Sequence, residues 1–393
     1  MKLFILLFLF SFSLMYSQNY IYDIDSKQPI KSVHINYAKD KGLITNKDGF
    51  FNLLYNESID TLNVSHLSYN TKRIVCKSLK KNDTIFLKKT SIELNVVEIS
   101  SFNPKNIMIK GIKRIESNYI DIAYNQLGFL RQTVEEEGKG IEMIEVAFTN
   151  YYNKKQSLAT NITNARRTEN YSKIDFNITG GVFSMIEKGD FVKRKAQFLN
   201  LENIDSYIFT YQGKIKHDNL EVYKIKIQSK EEKTQNYRKS YVYIDVTSYA
   251  FVKIENYFDE KKLRKLETIN LKAVTKRQKK KVLYILREGY NTIKYKKLKN
   301  DKWGLSYLNV NNVLKGLYKK ESYMYDVNIN LVINDIVYDK VVPVKTNYNI
   351  SKGFNKAIKK IKNVGYWGDW GDNYKFSLSD DDKRILTEIE QRK

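Results

Sequence analysis

The sequence predicts a mainly β protein: a small N-terminal β-sandwich, a linking helix, and a larger antiparallel sheet with a few helices. Apolar and polar residues alternate with a period of two in many short runs, which is the strand period. Clusters of Asn, Asp, Gly and Ser punctuate those runs at short intervals, as turns do. Thirty tyrosines and 19 phenylalanines supply large rings that suit a pleated, half-buried surface. At 393 residues, 42% of them apolar, the chain is long enough for about two domains with real cores. Only three prolines and 17 glycines argue against a fibrous or disordered chain.

Taken in order, Met1-Lys2 precedes an apolar run from Leu3 to Met15, and small Ser17 precedes Gln18. This reads as a signal peptide over 1–17, cleaved between Ser17 and Gln18, although Met15 is larger than the cleavage rule prefers. The run is too short to span a bilayer, and no later stretch is apolar enough for a membrane helix. The sandwich is expected over 18–100, with strand-period runs at 32–36, 61–65 and 84–87 and turns at 25–29, 46–49, 56–58 and 81–83. A linking helix is expected within 101–125. Asn103 offers an N-cap, Pro104 suits the first helical position, and Met108, Ile112, Ile115 and Tyr119 share one helical face. The third unit, 126–393, opens with a hairpin of 126–136 and 141–152 around Glu137-Gly138-Lys139-Gly140. Two further hairpins pair 207–217 with 220–228, and 240–245 with 250–257, building a meander. Residues 160–205 are less regular and read as an excursion over one face. Phe354, Ile358 and Ile361 suggest a short helix. Ser379 with Asp382 resembles a capping box for a final helix, and Asp380 to Asp382 suit its positive end.

Residues 43–53, LITNKDGFFNL, look at first like a calcium loop. A calcium loop with Gly49 at its sixth position would place Ile44 first and Tyr55 twelfth, where carboxylates are required. The same residues suit a turn: Asn46 and Asp48 bond their own backbone and Gly49 supplies positive φ. In its turn (Thr45, Asn46, Asp48, Gly49, Phe51) and its following strand (Leu62, Val64, Ser65, Tyr69), the region resembles the carboxypeptidase regulatory-like domain. Ser68 stands where that family usually has glycine, and the family's opening glycine is missing around Tyr22. The resemblance implies an immunoglobulin-like sandwich, common at the N-termini of exported proteins of Gram-negative bacteria. The stretches IKGIKRIESNY, LGFLRQ, SYVYIDVTSYAFVKIE and GYWGDWGDNYKFSLSDDD resemble the C-terminal half of secreted proteins that carry this domain. The sheet they belong to resembles the half-barrel of LolA-like lipoprotein carriers. That likeness implies a greasy face wrapped around a helix.

The family name does not bring a peptidase with it. A zinc peptidase needs two or three His or Glu ligands and a general base. His34, His66 and His217 have no second ligand at ligand spacing, and none is expected to bind metal. No G-x-S-x-G elbow or phosphate-binding loop is present. The lone Cys76 offers neither a lipid-anchor site near the cleavage point nor an intrachain disulfide, and reads as inert packing. Glu135-Glu136-Glu137 reads as a solvated hairpin end. The formal charge of +24 is spread along the chain, which excludes a dedicated nucleic-acid patch. The densest basic run, 276–281, reads as a solvated turn, with lipid phosphates as its functional alternative. Trp367 and Trp370 read as plugs closing one end of the sheet, with ligand or interface contact as the alternative.

These readings converge on a non-catalytic exported protein, periplasmic or outer-membrane associated and not lipid-anchored. A lipid or other apolar ligand is expected on the C-terminal sheet, with the sandwich as an interaction module. No cofactor, nucleic acid or integral membrane segment is expected. Two alternatives stay open: a structural adaptor for an outer-membrane protein partner in a TonB-type complex, and an unrecognised hydrolase.

Overall fold

The computed structural model describes residues 17–38, 41–53, 59–66, 68–79, 83–89, 102–170, 181–217, 220–230, 238–258, 263, 283–318, 321–349, 354, 358 and 376–391. The chain is mainly β, and its large sheet does not close into a barrel.

Seven short strands come first: β1 (Ser17–Asp23), β2 (His34–Ala38), β3 (Lys41–Ile44), β4 (Phe50–Leu53), β5 (Thr61–His66), β6 (Tyr69–Val75) and β7 (Thr84–Leu87). They form a three-stranded sheet, β4-β1-β7, and a four-stranded sheet, β3-β2-β5-β6. Ile21, Val33, Ile35, Phe51, Leu62 and Val64 fill the core that the two sheets share. Alternation puts every second side chain of β4 and β5 inward, as the strand period requires.

Ten longer strands form one antiparallel sheet. They are β8 (Tyr124–Glu136), β9 (Lys139–Tyr152), β10 (Leu158–Glu169), β11 (Tyr207–His217), β12 (Leu220–Ser229), β13 (Arg238–Asp245), β14 (Phe251–Phe258), β15 (Leu283–Lys297), β16 (Trp303–Tyr318) and β17 (Glu321–Val337). Their order is β10-β9-β8-β17-β16-β15-β14-β13-β12-β11. The chain builds one edge outward from β8 to β10, crosses the sheet, and returns strand by strand from β11 until β17 pairs with β8. Glu137 and Gly138 join β8 to β9 with φ of 50° and 74°, the pair of positive angles that a type I′ hairpin turn demands.

Helices α1 (Pro104–Lys113), α2 (Ile115–Asn118), α3 (Gly181–Gly189) and α4 (Asp380–Gln391) pack on this sheet. The Asn103 side chain caps α1, accepting from Lys105 N and Asn106 N. Met108 of α1 and Val182 and Ile186 of α3 join Leu130, Val134, Ile144, Val146, Ile293, Ile329 and Leu331 in the main core, on what we term the helix-bearing face. Phe354 and Ile358 are helical and buried in the same core, while Ile361 lies outside the described residues. The opposite face carries the sandwich and α4. Ile44 of β3 packs with Phe129, Ala147, Tyr307, Val332 and Phe376 there, and Ile385 and Ile389 of α4 pack on Met143.

The structure departs from the sequence reading in three places. Residues 158–169 are not irregular: they are the edge strand β10. Polar residues on both of its faces (Asn161 and Arg166 on one, Arg167 and Glu169 on the other) and a register shift between Ile162 and Asn164 hide the strand period. The linking helix is not continuous to Tyr119. It ends at Lys113, a short α2 follows, and Tyr119 is extended so that its hydroxyl donates to Phe251 O at 2.6 Å. Glu136 is not solvated. It is buried and accepts from the Tyr325 hydroxyl at 2.7 Å, because β17 closes over the end of that hairpin.

Candidate functional site

The crossing segment after β10 carries α3 across the helix-bearing face. Val182 and Ile186, four residues apart, point into the core, while Ser184, Met185 and Lys188 line a cleft beside it. Glycine at both ends lets the helix lie close. A Cβ on Gly181, whose φ is +51°, would stand 2.0 Å from the Phe354 ring. One on Gly189 would stand 2.0 Å from Leu308 Cδ1.

The segment is pinned just after α3 by a polar cluster. Asp190 is buried, and its Oδ1 accepts from the Tyr295 hydroxyl at 2.8 Å and from Lys193 N at 3.2 Å. Lys193 donates to the Tyr124 hydroxyl at 3.0 Å and to Gln156 Oε1 at 2.6 Å, and lies 4.0 Å from the Tyr152 ring centroid. Tyr124 and Tyr152 stack with centroids 4.7 Å apart. Burial raises the Asp190 carboxyl above its ordinary range, opposed by Lys193. Burial lowers the Lys193 ammonium to about 8, opposed by Asp190.

Between α3 and the sheet lies a cleft of 410 Å³, a size that ligand sites commonly have. Its walls include Leu130, Ile293, Leu308, Val310 and Ile329 from the sheet, with Met185, Phe191 and Phe354 opposite. Two amides interrupt this apolar lining. Gln132 is held by donating to Glu142 Oε1 at 2.9 Å. Asn291 Oδ1 is buried and has no hydrogen-bond partner among the described residues, which leaves an acceptor to be satisfied by whatever fills the cleft. Lys188 and Arg194 are exposed at the rim, and Arg194 lies 4.4 Å from the Phe191 ring. Among the described lining residues there is no carboxylate, histidine or cysteine to act as base or nucleophile. The arrangement suits the holding of an apolar body with a polar end.

The residues singled out in the sequence lie elsewhere. Thr45 is buried in the sandwich, its hydroxyl donating to Ile30 O and accepting from Val33 N. Asn46 Oδ1 accepts from Asp48 N and Phe50 N, both at 2.9 Å, and Gly49 has φ +70°. Asp48 Oδ2 accepts from Asp380 N at 2.7 Å, and Phe51 is in the sandwich core. Ser17 and Gln18 open β1, opposite Leu53 and Asn52. Trp367, Trp370 and the basic run at 276–281 lie outside the described residues. His34 and His66 lie on β2 and β5, and His217 ends β11. Cys76 is buried, and burial raises its thiol. Among the described residues no three His, Cys, Asp or Glu side chains gather closely enough to hold a metal. No helix among them is long and apolar enough to cross a membrane.

The cleft residues went unmarked in the sequence reading. The available signal was Gly181-Val182-Phe183-Ser184-Met185-Ile186, a glycine-bounded stretch with apolar residues at helical spacing inside an otherwise strand-rich region.

No known protein-family model matches this chain, and no curated protein matches it. Among solved structures, a DUF1329 family protein from Desulfovibrio piger is 11% identical, with 62% of this chain and 96% of that one covered at a TM-score of 0.26. A LolA superfamily protein from Nitrosomonas europaea is 9% identical over 62% and 96%, at a TM-score of 0.24. Lipovitellin, described in terms of lipid–protein interactions, is 8% identical over 57% of this chain and 26% of its own, at a TM-score of 0.23. With TM-scores this low, these likenesses decide nothing about the site.

Proposed function

We propose that the protein is a non-catalytic, exported cell-envelope protein that binds a lipid or other apolar ligand in the cleft beneath α3, with the sandwich as its interaction module. The cleft carries this reading: 410 Å³ bounded by aliphatic and aromatic side chains, with Asn291 Oδ1 as an acceptor that has no partner among the described residues. A sheet face that served only as structure would be packed to interior density, with no space for a ligand. The apolar run at 3–15 and the division into units at 18–100, 101–125 and 126–393 belong to the same proposal.

The test is native mass spectrometry of residues 18–393, exported to a periplasm and purified without detergent, followed by solvent extraction of any excess mass. A stoichiometric apolar adduct is expected. Val310→Trp, which fills the cleft from the sheet side, should abolish the adduct and shift the melting temperature by only a few degrees. A folded wild-type protein that never carries an adduct, or an adduct that survives Val310→Trp, would overturn the reading.

A further inference from the structure

A second cleft, of 710 Å³, lies on the sheet's other face, walled partly by Ser32 and Asn46 of the sandwich. A row of side chains runs across its floor, in register from strand to strand: Tyr257, Tyr290, Asn311, Asn328 and Thr133. Strands lie about 4.8 Å apart, so five of them make a row about 19 Å long. Beside it stand Asn309 and Asn330, and the four amides close a ring of hydrogen bonds. Asn309 Nδ2 donates to Asn330 Oδ1 at 2.9 Å, Asn330 to Asn328 at 2.7 Å, Asn328 to Asn311 at 2.7 Å, and Asn311 back to Asn309. The ring fixes the orientation of each amide. It uses one Nδ2 hydrogen of Asn311 and one of Asn328, which leaves each a second.

Three observations define what would fit. Tyr257 is 39% exposed and packs on Tyr290 with centroids 4.7 Å apart, which offers a ring surface at one end of the row. The lysines and arginine of the lining are matched in number by its acids. Two of those lysines are already engaged: Lys294 Nζ donates to Ser32 O at 2.6 Å and Lys253 pairs with Glu255 at 2.5 Å. The floor strands β15, β16 and β17 are paired on both sides, so no strand edge is free for an extended peptide.

We propose that this cleft binds a neutral oligosaccharide, with a sugar ring on Tyr257 and Tyr290 and its hydroxyls on Asn311 and Asn328. A hydroxyl both donates and accepts, as a carboxamide does, and the C–H face of a pyranose suits an aromatic ring. This site lies across the sheet from the apolar cleft and does not depend on it.

The full chain is titrated calorimetrically with neutral tetrasaccharides of glucose, mannose, galactose and N-acetylglucosamine, and with an uncharged eight-residue peptide. At least one sugar is expected to bind. Its affinity should fall tenfold or more in Tyr257→Ala and in Asn311→Leu/Asn328→Leu, and stay within twofold in Val310→Trp on the other face. The Tyr257→Ala change removes a partly exposed ring, so it keeps the test alive if the amide variant fails to fold. The proposal is overturned if no sugar in the set binds, if binding survives both floor variants, or if only the peptide binds.

Discussion

Lys193 holds its ammonium among two tyrosines and the Gln156 side chain, largely out of water. Its folded value of about 8 lies below the ordinary 10.5, so the native state binds this proton less readily than the unfolded chain does. The stabilising contribution is therefore present above 10.5 and is lost as the pH falls through about 8. Stability should rise by roughly 1 kcal/mol between pH 7 and pH 9 on this account, and Lys193→Met should remove that rise. Urea midpoints at both pH values, for both proteins, make the comparison. An equal rise in each would show that some other group titrates. Nothing in the sequence marked Lys193, because its partners Tyr124, Tyr152 and Asp190 reach it from β8, β9 and the end of α3. Gly49 is the opposite case. Its φ of +70° and the 2.4 Å that would separate a Cβ from Ile21 O are what the turn motif demands of glycine.

At the scale of single elements, capping and hairpin signals carried far. Ser379 Oγ accepts from Asp382 N at 3.0 Å, and Asp382 Oδ2 accepts from Ser379 N at 2.8 Å, a reciprocal capping box at the start of α4. Ser379→Ala should cost about 1 kcal/mol, read as a lowered denaturation midpoint with an unchanged slope. A loss near zero would mean that the contacts of Asp382 with Arg131 hold the helix start without the cap. Strands with one apolar phase were legible, whereas β10, at the sheet edge with polar residues on both faces, was not. The excursion after it is real, and α3 within it forms one wall of the candidate site.

At the scale of the whole molecule, the turn at 46–49 has a second duty. Besides closing on itself, it meets the start of α4: Asn46 Nδ2 donates to Leu378 O, Asp48 Oδ2 accepts from Asp380 N, and Lys47 pairs with Asp381. Ile44, two residues before the turn, is buried against the large sheet and not in the sandwich core. Ile44→Asp places a charge in that apolar contact and should uncouple the two units. Calorimetry is expected to resolve two unfolding transitions where the wild type has one. A single transition, merely shifted, would show that the polar contacts suffice to couple them.

Sequence alone determined what depends on near neighbours: the turn at 46–49, the caps at Asn103 and Ser379, and the hairpins of 126–152, 207–228 and 240–257. Each is settled within a few residues by backbone bonding and side-chain period. Only the tertiary structure decided that β17 closes on β8, where Tyr325 meets Glu136 across 189 positions. It also decided that one sheet face takes helices and an apolar cleft while the other takes the sandwich and a polar one. Those outcomes depend on which distant strands pair and which face each residue then presents, and a one-residue change of register would reverse them.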